Sequence, residues 1–589
     1  MKLVIKEYLA SLKEREELDA MLPNLLSEMG FTVYSRPSRG PRQYGVDVAA
    51  VGTASDGMRK VYLFSVKQGD LNRQDWDGTP QALRSSLNEI RDGYIPTRIP
   101  AEYQNLGVVI CLVFGGDIKE TVHQEVRGYI RTNTTANVAY EEWNGDRLAD
   151  LILSGILRED MFTGEMRAHL RKAAAMVEEP DIAYLHFRKL VDAIVKRPAK
   201  KQVARISKVR EIYMCLWVLF TWGREANNVE APYRASEYAV LRAWELLNGL
   251  MGKKGRDAVE AGIVFNDLVE LHFAIWDELA GKILPHVDKR HAISATVPSF
   301  SSLDINLKTH DIMGRIALRG LWLAWTKSQS ALPEPLETTE DDPLHTIAMQ
   351  LFNLIDNNPA LHSPISDEQA IDIALALMLL GVHGGLKKAI GSWLDVLADR
   401  TYAAYRTHGA YPSCKWSYWD LVEHPSEKTD EYRQEATAGS TLFPLLALWA
   451  GGYSSGKALA TLAKFKNKYL EHCNFQLWFP DSDSEAGLYQ GSDRHGDMLS
   501  DIPVDAEGVE TREYVEIECA SNDNFSQLSA IELGHWPIVL LACRHYRLPV
   551  PPQIWLALIP GAQSSGTASP TGSGPRELSG NEVAESTPS

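Results

Sequence analysis

The uncharged run Leu106–Phe114 (LGVVICLVF) constrains the fold more than any other segment. A strand that is exposed on one face alternates polar and apolar residues, whereas this run is almost continuously apolar. The pattern therefore predicts a strand that is buried on both faces. Because such strands lie inside sheets that carry helices on both sides, we expect an α/β domain in this part of the chain.

Helix and strand signals alternate through residues 1–158. Apolar residues recur at steps of three and four along 6–29, which predicts a helix that Pro23 kinks or divides and that Gly30 ends. This mixed order predicts a small mixed sheet wrapped by helices. Further helices are expected at 81–93, 118–131 and 146–154, and strands at 31–34, 46–51, 61–66 and 138–143.

Helical periodicity dominates the rest of the chain, which at 589 residues is too long for a single core. Two helical domains are predicted, at 165–330 and 343–560. The segment 331–343 (ALPEPLETTEDDP) is rich in proline and acid and is predicted to link them. The acidic, glycine-containing segment 480–508 is predicted to be a long loop. Residues 561–589 are rich in Ser, Gly, Pro and Thr, which predicts a disordered tail.

Composition and charge argue against several classes of protein. The net charge of −17 is opposite to that of a protein coated in nucleic acid, so any such contact must come from a local basic patch. The six cysteines form no CxxC pair, which disfavours a zinc ribbon or a redox motif. No apolar run reaches the roughly 20 residues that span a bilayer, and the first residues include acids unlike a signal peptide. We therefore expect a soluble, cytoplasmic protein that does not contact a membrane.

Three charged residues of the first domain occur in an order that suits phosphodiester hydrolysis. Asp19 lies on the first predicted helix, Asp47 begins a predicted strand, and Lys67 ends the next one. The reaction needs carboxylates that hold Mg²⁺ and a cation that offsets charge on the phosphate. Adjacent strands lie about 5 Å apart, so Asp47 and Lys67 are expected to meet. Glu14 or Glu17 is an alternative for the helix acid, and each residue taken singly is more often an ordinary solvated charge.

The ordered set resembles the PD-(D/E)XK superfamily, specifically the Mrr-like restriction endonuclease domain. In that family a helix acid precedes a Gly-Phe or Gly-Tyr pair, as Asp19 precedes GF at 30–31. A Gly-x-Asp motif then opens a strand and a (Asp/Glu/Gln)-x-Lys motif closes the next; GVD at 45–47 and SVK at 65–67 align with them. The later segments GVVICLVFGGDIKETVHQEV and YEEWNGDRLADLIL are similar to the family's central strand and closing helix. The resemblance covers residues 8–155, about a quarter of the chain.

The resemblance implies an α/β restriction-endonuclease-like N-terminal domain followed by a large, mainly α-helical region. It implies a metal-dependent endonuclease that cuts DNA with Mg²⁺ or Mn²⁺ as its cofactor. Asp47 would be the main metal ligand, Asp19 would orient or supplement the metal site, and Lys67 would position the attacking water or stabilise the transition state. The architecture also resembles effectors of prokaryotic defence against foreign DNA. The helical region would then sense a trigger, form a homo-oligomer or dock a partner such as an ATPase.

Ser65 departs from the family pattern, which has an acid or a glutamine at that position. A hydroxyl is a poorer Mg²⁺ ligand than a carboxylate. Three interpretations stay open. The metal is held by Asp47, the helix acid Asp19 and a main-chain carbonyl near Val66, or Gln68 contributes from the next position. In the third, the domain is a catalytically degenerate nuclease fold that serves as a nucleic-acid- or partner-binding scaffold.

Two basic clusters are candidates for contact with a phosphate backbone. Arg36, Arg39 and Arg42 crowd the loop before Asp47, as suits phosphate contacts beside a nuclease site. The segment 188–210 carries nine basic residues against one acid, a local reversal of sign in an acidic protein. Both clusters are equally consistent with a solvated surface that pairs with acids elsewhere. The residues of the second cluster predicted to bind DNA are Lys196, Arg197, Lys200 and Lys201.

Overall fold

A computed structural model of the chain describes residues 2–37, 43–54, 56–157, 162–328, 332–424, 426–492 and 495–561. Arg39, Arg42 and the predicted tail from residue 562 onward lie outside these ranges.

The first part of the chain contains one five-stranded mixed sheet. Its strands are β1 (Thr32–Ser35), β2 (Val48–Thr53), β3 (Arg59–Lys67), β4 (Gly107–Phe114) and β5 (Val138–Trp143). They lie in sequence order across the sheet. The pairs β1–β2 and β2–β3 are antiparallel, whereas β3–β4 and β4–β5 are parallel. Parallel neighbours need a crossover connection, and helices provide both of them here.

In the described part of the chain, seven helices accompany this sheet. They are α1 (Lys2–Ser11), α2 (Asp19–Glu28), α3 (Arg73–Asp77), α4 (Leu83–Glu89), α5 (Ile95–Arg98), α6 (Glu120–Asn133) and α7 (Gly145–Gly155). Two π-helical turns, Glu14–Leu18 and Ile90–Tyr94, and a 3-10 turn, Ala101–Tyr103, lie between them. The predicted helix at 6–29 is thus two helices, as allowed, but the division falls before the π turn and not at Pro23, which lies inside α2. The short break after α1 is what brings Glu14 and Asp19 to the sheet.

Strand β4 is buried on both faces, as its apolar run predicts. Val109, Cys111 and Val113 belong to the hydrophobic core that also contains residues of α1, α2 and α7. Ile110 and Leu112 belong to a second core, which contains residues of α4 and α6. The expected small mixed sheet with helices on both sides is therefore confirmed.

The remainder is mainly helical, as predicted. Its helices are α8 (Gly164–Ala175), α9 (Pro180–Lys196), α10 (Gln202–Glu225), α11 (Glu230–Leu247), α12 (Arg256–Ala280), α13 (Ala292–Thr296), α14 (Ser302–Ser328), α15 (Pro343–Asn357), α16 (Ala370–His383), α17 (Lys387–Arg406), α18 (Tyr418–Glu423), α19 (Asp430–Ala436), α20 (Leu442–Gly452), α21 (Gly456–Tyr469), α22 (Glu485–Gln490), α23 (Val509–Ser521), α24 (Asn524–Gln527), α25 (Ser529–Glu532), α26 (Pro537–Tyr546) and α27 (Pro552–Trp555).

Short 3-10 turns and two small strand pairs complete the helical region. The turns are Leu284–His286, Pro359–His362, Asp367–Gln369, Ser482–Ser484 and Leu556–Leu558. The strands are β6 (Gly439–Ser440), β7 (Asn474–Phe475), β8 (Leu477–Pro480) and β9 (Gly496–Leu499). Strand β6 runs parallel to β7, and β8 runs antiparallel to β9.

The prediction of a long loop at 480–508 is wrong. Helix α22 and strand β9 lie within that segment. Strand β9 is stabilised by its pairing with β8, and α22 buries Leu488 and Tyr489. Both elements are short and depend on contacts with distant segments, so the local sequence carries no periodic signal for them.

The helical region packs directly onto one face of the sheet. A single hydrophobic core extends from Ile5 to Ile559 and includes residues of α1, α2, β3, α10 and α12. The environment of the first domain is therefore set partly by helices that follow it in sequence. Within the described residues, no helix combines the length and the apolar character needed to cross a membrane.

Candidate functional site

Asp47 lies where the chain enters β2, and its position is closely fixed. Gly45 has a φ of 76°, and a Cβ there would lie 2.4 Å from the carbonyl oxygen of Ser86, so the approach to the strand requires glycine. The Asp47 amide donates to the carbonyl oxygen of Phe64 at 2.8 Å. The Asp47 carboxylate oxygen Oδ2 accepts from the amide of Val66 at 2.7 Å. The carboxylate is thus held at the end of β3.

Lys67 ends β3 next to that carboxylate and is largely buried. Its side chain is 12% exposed, and its Nζ donates to Glu14 Oε1 at 2.9 Å. Glu14 belongs to the π turn between α1 and α2, and its side chain is 31% exposed. The ion pair therefore joins the end of β3 to the turn that precedes Asp19.

Asp19 supplies a second buried carboxylate. It begins α2, is 7% exposed, and its Oδ1 has no hydrogen-bond partner. Burial, and after it the charge of Asp47, raises the pKa of Asp19 to about 7. Burial also raises the pKa of Asp47 to about 6, although the Val66 amide and Lys67 act in the opposite direction. The Asp47 carboxylate therefore lies close enough to Asp19 to disfavour the ionisation of Asp19.

The structure brings together Asp19, Asp47 and Lys67, the three residues that the sequence pattern singled out. Gln68, the proposed supplementary group, is exposed just beyond β3. Ser65 is 1% exposed within the strand. Metal binding by a main-chain carbonyl near Val66 stays a prediction, because the Val66 group that contacts Asp47 is the amide.

The donor set can be compared with what Mg²⁺ needs. Among the described residues, no group of three or more His, Cys, Asp and Glu side chains is arranged to hold a metal ion. Mg²⁺ is commonly bound by one or two carboxylates, with water and substrate phosphate as its other ligands, and not by a closed protein cage. Asp19 and Asp47 fit such an open set of ligands, because Oδ1 of Asp19 is buried and has no hydrogen-bond partner. These two residues would hold the ion.

The helical region fixes the helix that carries Asp19. Glu17, two residues earlier, pairs with Arg224 of α10 at 2.5 Å. At the other end of α2, Glu28 pairs with Arg210 of the same helix at 2.6 Å. Sequence reasoning missed both arginines as part of the site, because the contacts join residues about 180 and 207 positions apart. No local pattern signals such a contact.

The predicted DNA-binding arginines of the first domain are only partly described. Arg36 pairs with Asp267 of α12 at 3.3 Å, and Asp267 also accepts from Asn24 of α2 at 2.9 Å. Arg36 therefore joins the first domain to the helical region. Arg39 and Arg42 lie outside the described residues.

The basic segment 188–210 is divided by the structure into buried and exposed residues. Arg197 pairs with Glu211 at 2.6 Å, and Lys208 donates to the carbonyl of Val195 at the end of α9 at 2.8 Å. Arg210 is also buried. These cations stabilise helix contacts. The exposed residues, here called the basic surface, are Lys189, Lys196, Lys200, Lys201 and Arg205.

Comparison with known proteins identifies no relative. No family model matches the chain, and neither the curated proteins nor the solved structures contain a match. The interpretation of the site therefore rests on its residues and their geometry.

Proposed function

We propose that the chain is a metal-dependent endonuclease that hydrolyses DNA phosphodiester bonds at the Asp19, Asp47 and Lys67 site. One observation carries the proposal: the buried, unpartnered carboxylate oxygen of Asp19 beside Asp47, at the strand end that also presents Lys67. A buried acid beside a second carboxylate that disfavours its ionisation costs stability, and strongly perturbed carboxyl groups of this kind concentrate at functional sites. The resemblance to Mrr-like domains supplies the reaction class.

Each residue has a separate role in this proposal. Mg²⁺ or Mn²⁺, when bound, activates the phosphate and a water molecule as a Lewis acid. Asp47 and Asp19 hold the ion through their carboxylates. Lys67 donates to a phosphate oxygen and offsets the charge that develops there. The Lys67 ammonium is already paired with Glu14. A substrate phosphate must therefore displace Glu14 or share the ammonium with it.

The remaining parts of the proposal concern partners. The exposed residues Lys196, Lys200 and Lys201 of the basic surface would contact the DNA backbone, which makes binding dependent on salt. Arg197 supports that surface through Glu211 and does not itself need to touch DNA. By resemblance of architecture, the chain would act as an effector in prokaryotic defence. The helical region would serve assembly of a homo-oligomer or docking of a partner such as an ATPase.

Plasmid cleavage with a matched pair of lysine variants tests this function. Lys67→Ala is expected to lower the rate of cleavage in Mg²⁺ or Mn²⁺ by about 100-fold or more, because it removes a preorganised donor to the phosphate. Lys60→Ala is the control, since Lys60 lies on the same strand but pairs with Asp56 at 2.6 Å. Its rate should equal that of the wild type. Cleavage that persists unchanged in Lys67→Ala would remove the basis of the assignment.

A second candidate function is nucleic-acid or partner binding without cleavage. Two observations favour it: Ser65, at the position of the family's acid, is 1% exposed, and Lys67 is already paired with Glu14. This candidate predicts retention of labelled duplex DNA by the full chain with no product in Mg²⁺ or Mn²⁺. Product formation that depends on Lys67 would exclude it. The same measurements with RNA identify the class of nucleic acid.

A further inference from the structure

Large aromatic side chains are exposed to water at two places in the helical region, just before α14 and around the start of α18. Phe300 is 104% exposed, Trp416 is 79% exposed and Trp419 is 70% exposed, while Tyr418 is 40% exposed. We refer to these four residues as the aromatic surface. Isolated exposed apolar residues are ordinary, whereas grouped ones mark interaction sites. Here the ring centroids of Tyr418 and Trp419 lie 5.5 Å apart, and Phe300 and Tyr418 line one cleft.

The aromatic surface borders a cleft whose walls are held by hydrogen bonds. Phe300 and Tyr418 line a cavity of about 520 Å³ together with Val297, Pro298 and Leu307. The Tyr418 hydroxyl donates to Asp304 Oδ1 at 2.7 Å, which joins the start of α18 to the first turn of α14. The other oxygen of Asp304 accepts from the amide of Phe300 at 2.8 Å. Because one carboxylate holds both walls, the cleft exists before any ligand arrives.

The segment that begins with Tyr418 and Trp419 is acidic. Residues 418–435 contain six exposed carboxylates. Asp430 pairs with Arg433, and Glu435 pairs with Lys415. The other four have no recorded ion pair within the described residues. These four are Asp420, Glu423, Glu427 and Glu431.

Charge decides between the kinds of ligand that exposed aromatic rings accept. Stacking of nucleic-acid bases needs a basic groove that binds the phosphates. Lys308, which lines the cleft, already pairs with Glu230 at 3.4 Å and with Asp311 at 3.0 Å. Phosphates would instead face the unpaired carboxylates. Arg and Lys side chains, by contrast, are attracted both to carboxylates and to the faces of tryptophan rings.

We propose that the aromatic surface docks a basic segment of a partner protein. Arg or Lys side chains of that segment lie over Trp416 and Trp419, and an apolar side chain enters the cleft between Phe300 and Tyr418. This interaction is independent of the proposed nuclease chemistry, because it uses no residue of that site.

Binding of a labelled peptide to the full chain tests this proposal. The probe is a fluorescein-labelled peptide of Arg and Leu residues, and a Glu and Leu peptide of equal length controls for apolar binding. Trp416→Ala combined with Trp419→Ala is expected to weaken binding of the basic probe about tenfold. Asp420→Asn combined with Glu423→Gln should also weaken it and reduce its dependence on salt.

A second exposed patch provides the matched control. Met498 and Ile517 are 44% and 66% exposed beside another acidic cleft, which includes Glu518 and Asp523. Met498→Ala combined with Ile517→Ala should leave probe binding unchanged. Thermal unfolding midpoints equal to that of the wild type would show that the fold of each variant is retained.

Three results would overturn the proposal. The first is equal binding of the basic probe by the wild type, the tryptophan variant and the carboxylate variant, or an equal loss in the Met498 and Ile517 control. The second is binding of a single-stranded oligonucleotide, in preference to the peptide, that is lost in the tryptophan variant. The third is a drop in the mass of the assembly in the tryptophan variant, which would assign the surface to a second copy of this chain.

Discussion

Replacing Asp19 by asparagine should stabilise the protein while removing its activity. The variant keeps the size of the side chain but has no charge to bury. The pKa of Asp19 rises from 3.8 to about 7, which corresponds to about 4 kcal/mol at 1.36 kcal/mol per pH unit. Structural relaxation lowers the cost of a buried charge. We therefore expect Asp19→Asn to raise the free energy of unfolding by about 2 kcal/mol or more above pH ~8.

The gain should depend on pH in a defined direction. Between about pH 4 and pH 7 the native state holds a proton on Asp19 that the unfolded state has lost, so wild-type stability falls as pH rises through this window. Asparagine does not titrate, so the variant lacks this decline. The difference in the free energy of unfolding between wild type and variant is therefore small near pH 4, grows up to about pH 7 and is constant above it.

Thermal unfolding of the wild type and Asp19→Asn across this pH range measures the effect. The difference in Tm should increase with pH, and Mg²⁺ should raise the Tm of the wild type more than that of the variant, because a bound ion offsets the same charge. A variant that is less stable than the wild type at pH ~8 would refute the reasoning. So would a difference in Tm that does not change with pH.

Two further predictions concern the helical region. Arg224→Met should lower the free energy of unfolding by about 3 kcal/mol, because the buried Glu17 then keeps, among the described residues, only its contacts with Lys13, the amide at 2.8 Å and Nζ at 3.6 Å. Glu17→Gln in the same chain should recover much of that loss in denaturant unfolding. Lys200→Ala combined with Lys201→Ala should weaken DNA binding uniformly across sequences and reduce the slope of log K against log salt by about 2, as measured by titration at several salt concentrations. An unchanged slope would show that neither lysine contacts a phosphate.

Much of the sheet could be predicted because its strands carry their own signal. The continuous apolar residues of β4 identify a strand buried on both faces, and the structure places them in both cores. Val48 pairs with Phe64, which leaves Asp47 opposite the end of β3, near Lys67. Local pattern was sufficient to bring these two residues to one strand end.

The rest of the site depends on contacts between distant segments. The π turn that carries Glu14 has no recognised sequence signal, and its partner Lys67 lies 53 residues away. Arg224 reaches Glu17 from a helix of another predicted domain. The same limit explains α22, a six-residue helix in a segment that was predicted to be a loop. Its Glu485 accepts a hydrogen bond from Ser529, which tertiary packing alone brings near.

Titration of the full chain with Mn²⁺, followed by electron paramagnetic resonance, tests most directly whether the two carboxylates form one cation site. We expect the wild type to bind one Mn²⁺ ion at this site, and Asp47→Asn and Asp19→Asn each to abolish that binding. Asp56→Asn, which changes an exposed carboxylate paired with Lys60, should retain it. Equal Mn²⁺ binding by the wild type and Asp47→Asn would contradict the account.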